Sequence, residues 1–176
     1  MTSRPAVEHR ASARERRARL RAHADYTGGV YGSMLAASVV IGAGALGSFH
    51  RTELVVLLLL TGLVFWAAHV HAQLFGARLA DRPWSRATVW QVCREEWPIV
   101  KAAVPPAVAV AISPLLGLDL SGTAWLALSV AVAGQVGWSV AAAARAGATR
   151  RLIALSAAVN LLFGLLIVVF KIVVSH

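Results

Sequence analysis

Two histidines stand close together in the strongly apolar stretch FWAAHVHAQL, residues 65–74. Histidine titrates near neutral pH, and ionisable groups inside a membrane often mark a path for protons or solutes. On a helix with about 100° of rotation per residue, the rings of His69 and His71 point to nearly opposite sides, so they cannot bind one metal ion together. The spacing predicts that His69 is the buried member, on the same side as Gln73, and that His71 reaches toward lipid headgroups.

Three further polar residues lie near the middle of apolar stretches. Gln135 and Ser139 are one helical turn apart, and Asn160 follows in the next apolar stretch. Polar side chains in hydrocarbon need hydrogen-bond partners, so we expect one intramembrane polar cluster of His69, Gln73, Gln135, Ser139 and Asn160. Two interpretations stay open: the cluster holds helices together, at about 0.6 to 2 kcal/mol per contact, or it forms a proton or solute path.

The sequence lacks the motifs of common catalytic and metal sites. It has no paired acids inside an apolar stretch, no Gly-rich phosphate loop, no HExxH and no Cys and His cluster at metal-ligand spacing. Haem would need histidines on facing helices, and a single apolar stretch carries them in its interior. We therefore expect no catalytic activity, no cofactor and no metal site.

The composition indicates the class of protein. Of 176 residues, 58% are hydrophobic and 14% charged, with a mean hydropathy of +0.67, which is more apolar than an ordinary soluble domain. Stretches of about 20 apolar residues, long enough to cross about 30 Å of hydrocarbon, recur between short polar breaks. The sequence predicts an all-α membrane protein in which a basic arm (1–27) precedes one transmembrane domain (28–176). Its five predicted transmembrane helices cover residues 29–49, 54–75, 98–118, 123–144 and 152–174, separated by polar turns that include HRTE and DLSGT.

The basic residues predict the orientation. Fifteen of the seventeen Lys and Arg residues fall on one side of the five predicted helices, and Arg51 and Lys171 fall on the other. Short loops rich in Lys and Arg stay in the cytoplasm. We therefore expect a multi-pass protein of a bacterial-type plasma (inner) membrane, with a cytoplasmic amino terminus and a carboxyl terminus outside.

The basic arm carries seven arginines, and the whole chain has a formal net charge of +9. The arm lacks the apolar face of a helix that embeds in a membrane, so its attraction to anionic headgroups is electrostatic, about 1 kcal/mol per basic residue. Nucleic acid is a competing partner for such charge. Because the positive-inside rule accounts for the same residues, we expect no nucleic-acid partner.

The segment between the second and third predicted spans, residues 83–98, is too polar to cross a membrane. It predicts a short helix in the inner interface, anchored by Trp84, Trp90 and Trp97, because tryptophan rings favour headgroup depth. The segment is either a structural elbow or a docking surface for a partner.

The first span carries small residues four positions apart at Gly28, Gly32 and Ala36, a pattern that permits close helix contact. This candidate helix-packing face can turn toward its own bundle or toward a second subunit, which is either another copy of the chain or another membrane protein. The sequence does not distinguish these partners.

The third span contains Pro105, Pro106 and Pro114, each of which removes a backbone donor and obstructs the preceding turn. We expect this helix to be kinked or broken twice. A broken span that lines a cavity is typical of transporters, although prolines also bend helices around their neighbours.

These observations favour a structural or partner subunit of a membrane assembly, without catalysis. The alternative is a small channel or proton-coupled transporter that uses His69 and a proline-broken third span.

Overall fold

The structure, a computed structural model, describes residues 23, 26–44, 50–79 and 85–174, and every element in those ranges is helical. Trp84 and most of the basic arm lie outside them. The helices are α1 (Tyr26–Gly44), α2 (Arg51–Leu79), α3 (Arg86–Glu95), α4 (Pro98–Ile112), α5 (Leu120–Arg145) and α6 (Arg150–Val174), with a short 3-10 helix, Ser113–Leu116, directly after α4.

Five helical segments within the described ranges are long and apolar enough to cross a membrane: α1, α2, the run from Arg86 to Leu116, α5 and α6. The chain is therefore a multi-pass membrane protein by the length and composition of its helices. Helices α1, α2, α5 and α6 begin two or three residues earlier than predicted. In α2 and α5 the reason is that HRTE and DLSGT mostly form the first turns of these helices. Polar side chains cap those turns: Glu53 accepts a hydrogen bond from the His50 N–H at 3.1 Å, and Asp119 accepts one from the Gly122 N–H at 2.7 Å.

One face of α1 packs closely against α4. A Cβ atom on Gly32 would lie 2.7 Å from the carbonyl oxygen of Ile99, and one on Gly28 would lie 3.1 Å from the Cβ of Pro98. Ala36 continues this face and is buried. The predicted helix-packing face thus meets the chain's own fourth helix, because glycine lets the two backbones approach more closely than any side chain would allow.

The neighbouring face of α1 packs against α5. A Cβ atom on Gly29 would overlap the indole of Trp138, and one on Gly134 would lie 3.4 Å from the hydroxyl of Ser33. Helix α1 therefore packs against both α4 and α5. In the remaining order α2 packs on α4, α4 on α5 and α5 on α6.

Two of the three prolines of the third span lie within a continuous helix. Pro105 and Pro106 lie inside α4, which runs without interruption from Pro98 to Ile112. The helix is not broken at Pro105 and Pro106, and α1, α2 and α5 pack around it. An interruption is found only before Pro114, where the α-helix gives way to the 3-10 helix. Pro114 lies at the start of the 3-10 helix and has no backbone N–H to donate to the Val110 carbonyl. That carbonyl accepts a hydrogen bond from the Ser113 hydroxyl at 2.8 Å.

Consecutive long helices run in opposite directions, so the bundle has two ends of different charge. At one end Arg51 contacts the turn before α5, and at the other Gln73 contacts Glu96 before α4. The second of these, here called the basic end, carries most of the described basic residues: Arg78, Arg86, Arg94, Lys101, Arg145, Arg150 and Arg151. The opposite end carries Arg51 and Lys171, and the ammonium group of Lys171 lies 4.4 Å from the ring centroid of Trp125.

We expect Gly32→Leu to lower the melting temperature of the purified protein in detergent strongly, because the new side chain overlaps the α4 backbone and overpacking costs about 1 to 3 kcal/mol or more. Gly42→Leu is the matched control, since a Cβ atom at Gly42 meets nothing within 4 Å. Equal melting temperatures for the two variants would contradict the packing of α1 on α4.

Candidate functional site

Several polar side chains are buried in the interior of the bundle. Among the described residues these side chains are uncharged hydroxyls and amides, on Ser33, Ser113, Thr123, Gln135, Ser139 and Asn160. Each is at most 2% exposed. Their surroundings therefore decide whether they act as a site or as links between helices.

Gln135 of α5 and Asn160 of α6 form the central polar contact. The side-chain amide of Gln135 donates to the backbone carbonyl of Asn160 at 3.1 Å and lies 3.4 Å from its Oδ1. Gln135 is fully buried and Asn160 is 2% exposed. In a low-dielectric interior such a bond joins the helices, because breaking it leaves polar groups without water to replace the lost partner.

Asn160 extends this contact to the first helix. Its Nδ2 donates to the backbone carbonyl of Ser156 at 2.9 Å and to the hydroxyl of Tyr26 at 3.4 Å. We call Tyr26, Gln135, Ser156 and Asn160 the amide cluster. Within the described residues, two buried atoms of this cluster lack a hydrogen-bond partner, the Oε1 of Gln135 and the hydroxyl of Ser156.

Ser139 lies one turn from Gln135 and does not join the amide cluster. Its hydroxyl donates to the Val136 carbonyl of its own helix at 2.8 Å, as that of Ser33 does to the Gly29 carbonyl at the same distance. Serine in a helix commonly satisfies its hydroxyl on the preceding turn. Both hydroxyls are therefore satisfied within their own helices.

His69 lies away from the amide cluster, which corrects the expectation of a single cluster. Its ring is half-buried against Tyr31 of α1, with ring centroids 5.1 Å apart, and its Nδ1 lies 3.1 Å from the Phe65 carbonyl one turn back. The physical reason is the order of packing, in which α4 lies between α2 and α5. A residue on α2 therefore meets α1 or α4 before it can meet Gln135.

Gln73 and His71 lie at the surface of α2. The amide of Gln73 is 3.5 Å from the carboxylate of Glu96, in the short turn between α3 and α4. The ring of His71 is exposed and stacks on Phe75, with centroids 6.1 Å apart. The rotation of the two histidines follows the sequence reasoning, in that His69 is the more buried.

Trp66 of α2 contacts both α3 and the residue directly before α4. Its indole N–H donates to the Cys93 carbonyl in the last turn of α3 at 3.0 Å, and its ring meets Trp97 edge-on, with centroids 5.5 Å apart. Carbonyls in the last turn of a helix lack intrahelical donors, so this contact satisfies one of them. Trp90 is 63% exposed and lies under the guanidinium of Arg94, at 5.2 Å.

A second polar cluster, at the end of the bundle opposite the basic end, does not follow from the sequence reasoning. Arg51 donates to the Leu118 carbonyl at 2.6 Å and contacts the hydroxyl of Thr123 at 3.4 Å, and Thr123 in turn donates to Ser113 at 2.8 Å. The cluster ties α2 to the connection between α4 and α5. The sequence contained one signal for this cluster. Because consecutive helices run in opposite directions, the two polar segments HRTE and DLSGT lie at the same end of the bundle.

Among the described residues there is no group of three or more His, Cys, Asp or Glu side chains that could hold a metal ion. The chain matches no protein-family model, and searches of curated proteins and of solved structures find no significant similarity.

We expect Gln135→Ala to lower the free energy of unfolding by about 1 to 3 kcal/mol, because it removes the donor to Asn160 from a buried site. Gln73→Ala, the same substitution at an exposed position, should change stability little. The measurement is thermal unfolding in detergent. A double-mutant cycle with Asn160→Ala should be non-additive, and simple additivity would contradict a direct contact between the two residues.

Proposed function

We propose that the protein is a non-catalytic structural or partner subunit of a membrane assembly, located in a bacterial-type plasma membrane. The observation that carries this proposal is the uncharged, closely packed interior. The fully buried side chains of the described residues are apolar groups, hydroxyls and amides, and most of their hydrogen bonds run to helix backbones. Such an interior stabilises one arrangement of helices and offers no charged group that could relay protons.

Three features weigh against transport. His69 lies at the edge of the bundle beside Tyr31, apart from the amide cluster. The α-helix of the third span continues through Pro105 and Pro106, so this part of the span lacks the irregular backbone that lines cavities in many transporters. The glycine faces of α1 are filled by α4 and α5, which leaves little free space beside them.

The surface proposed to meet a partner is the outer side of α3. None of the residues of α3 is buried, yet its amino terminus is capped by Ser85, whose hydroxyl accepts from the Thr88 N–H at 3.0 Å. Trp90 and Arg94 together present an aromatic ring and a guanidinium, two groups that are enriched in protein interfaces. The partner is either a second copy of the chain or another membrane protein.

We further propose that the basic end faces the cytoplasm and that the basic arm lies against anionic headgroups. The support is the segregation of charge, with seven described basic residues at one end and two at the other. Short basic loops are retained in the cytoplasm, and the short turn between α5 and α6 is such a loop.

The orientation is tested with reporter fusions in a bacterial host. A reporter that is active only in the periplasm should be active after His176 and inactive after Thr149, because the turn at Thr149 belongs to the basic end. The reverse pattern would contradict the proposed orientation.

The function is tested on one preparation of the full-length protein, extracted from native membranes in mild detergent and also reconstituted in liposomes. We expect native mass spectrometry to show an assembly larger than the 18.6 kDa chain. We expect proteoliposomes with an imposed potential to pass protons and potassium no faster than protein-free liposomes, because the interior offers no charged relay.

The transporter alternative has one observation in its favour, the two buried atoms of the amide cluster without hydrogen-bond partners. It predicts a proton flux that Gln135→Leu or His69→Gln abolishes and that the surface control Gln73→Ala preserves. A monomeric mass together with such a flux would overturn the subunit proposal and support the transporter.

A further inference from the structure

An open apolar groove runs between α5 and α6 on the outside of the bundle. Its volume is about 690 Å³, within the range of pockets that hold small molecules. Helix α5 contributes Val132, Val136 and Val140 and a row of small residues that recur every four positions, here called the floor: Ser129, Ala133, Gly137 and Ala141. Leu161 and Val168 of α6 complete the lining. A Cβ atom on Gly137 meets nothing within 4 Å, so the floor of the groove is open.

The groove has the length of one half of a bilayer. From Ser129 to Ala141 it covers twelve residues of helix, about 18 Å at 1.5 Å per residue, and the hydrocarbon of one leaflet is about 15 Å deep. An acyl chain that enters from the headgroup region at one end can therefore lie along the whole groove.

Positive charge is concentrated at one end of the groove, since beyond Ser129 the other end has a single basic residue of α5 and α6, Lys171, whose ammonium group lies over the ring of Trp125. The turn between α5 and α6 carries Arg145, Arg150 and Arg151, all exposed, and no acidic residue occurs between Leu120 and the end of the chain. Arg145 is four residues, about 6 Å, beyond Ala141 along α5. Arg150 precedes Leu161 by eleven residues, about three helical turns, which places it on the groove-lining side of α6.

This arrangement discriminates between possible occupants. A helix of a second copy would enter the membrane with the same orientation and would bring its own arginines to the same end, where like charges repel. A phospholipid with an anionic headgroup instead matches both the groove and the arginines beyond it. Its acyl chain is apolar, and its phosphate group pairs with guanidinium groups.

We propose that the α5–α6 groove binds one acyl chain of an anionic phospholipid, whose headgroup contacts Arg145, Arg150 and Arg151. The site is distinct from the α3 surface and does not depend on the protein being a subunit. It differs from the diffuse attraction between lipid and the basic arm, because the groove selects a lipid by its chain and its headgroup together.

The test is native mass spectrometry of the full-length protein in detergent, titrated with phosphatidylglycerol or with phosphatidylcholine of the same acyl chains. We expect one phosphatidylglycerol to be retained at concentrations at which phosphatidylcholine is not. The double variant Arg150→Gln/Arg151→Gln should weaken this retention about thirtyfold, corresponding to about 1 kcal/mol for each basic residue near the headgroup.

A second variant tests the groove without changing charge. Gly137→Leu fills the open floor and should reduce retention of phosphatidylglycerol at least about tenfold, since a fully buried leucine side chain takes the place of chain contacts worth about 1.5 to 3 kcal/mol. Gly42→Leu, at an equally open helical glycine, and Arg86→Gln, at an exposed arginine of the same basic end, are the matched controls and should retain the lipid. Thermal unfolding in lipid-free detergent checks that all variants are folded.

Three results would overturn the proposal. Equal retention of the two lipids would show that the arginines do not select the headgroup. Loss of retention in Gly42→Leu or Arg86→Gln to the same degree would show that the lipid binds generally to the basic end. A dimer that Gly137→Leu dissociates would show that the groove is occupied by a second copy.

Discussion

The close approach of α1 to two neighbouring helices is the contact on which the remaining structure depends. Gly28 and Gly32 meet the backbone of α4, and Gly29 meets the indole of Trp138 on α5. In a membrane, helices gain little from burying apolar side chains, because lipid is equally apolar, so close packing and hydrogen bonds must hold them. Glycines on two adjacent faces allow one short helix to pack against two others at once.

The packing of α1 on α4 and α5 determines which polar residues meet. With α1 packed on both α4 and α5, Tyr26 contacts Asn160 on α6 and Tyr31 contacts His69 on α2. The site around His69 is therefore separate from the amide cluster. Hydroxyls that cannot reach another helix return to their own backbone, as Ser139 does. Gln135, whose side chain is longer, spans the gap to α6.

The bundle therefore separates its chemistry by location. Amides and hydroxyls fill the interior, arginines collect at one end, and aromatic and guanidinium groups are presented by α3. Charged groups cost several kcal/mol at the centre of a bilayer, so their removal to the ends stabilises the inserted state. A molecule of this design can interact with its surroundings through its surface and its ends, which is where both proposals place its partners.

The sequence by itself determined the number of spans and the approximate bounds of the helices, because hydropathy and helix length are set by the bilayer and do not require knowledge of neighbours. It also determined that His69 and His71 point apart, since this is a property of one helix. It could not determine which helices touch.

A single polar cluster is expected if residues at similar depths in the membrane meet, but helices at similar depth need not be neighbours. In the structure α4 lies between His69 and Gln135, so the two residues do not meet. Local backbone chemistry predicts a kink or break at Pro105 and Pro106, whereas α4 continues through both residues among the helices packed around it. Only the tertiary structure decided that the glycines of α1 face other helices and that the small residues of α5 line an open groove. Small residues four positions apart permit close helix contact in both helices, and which of the two rows meets a neighbouring helix depends on the packing of the whole bundle.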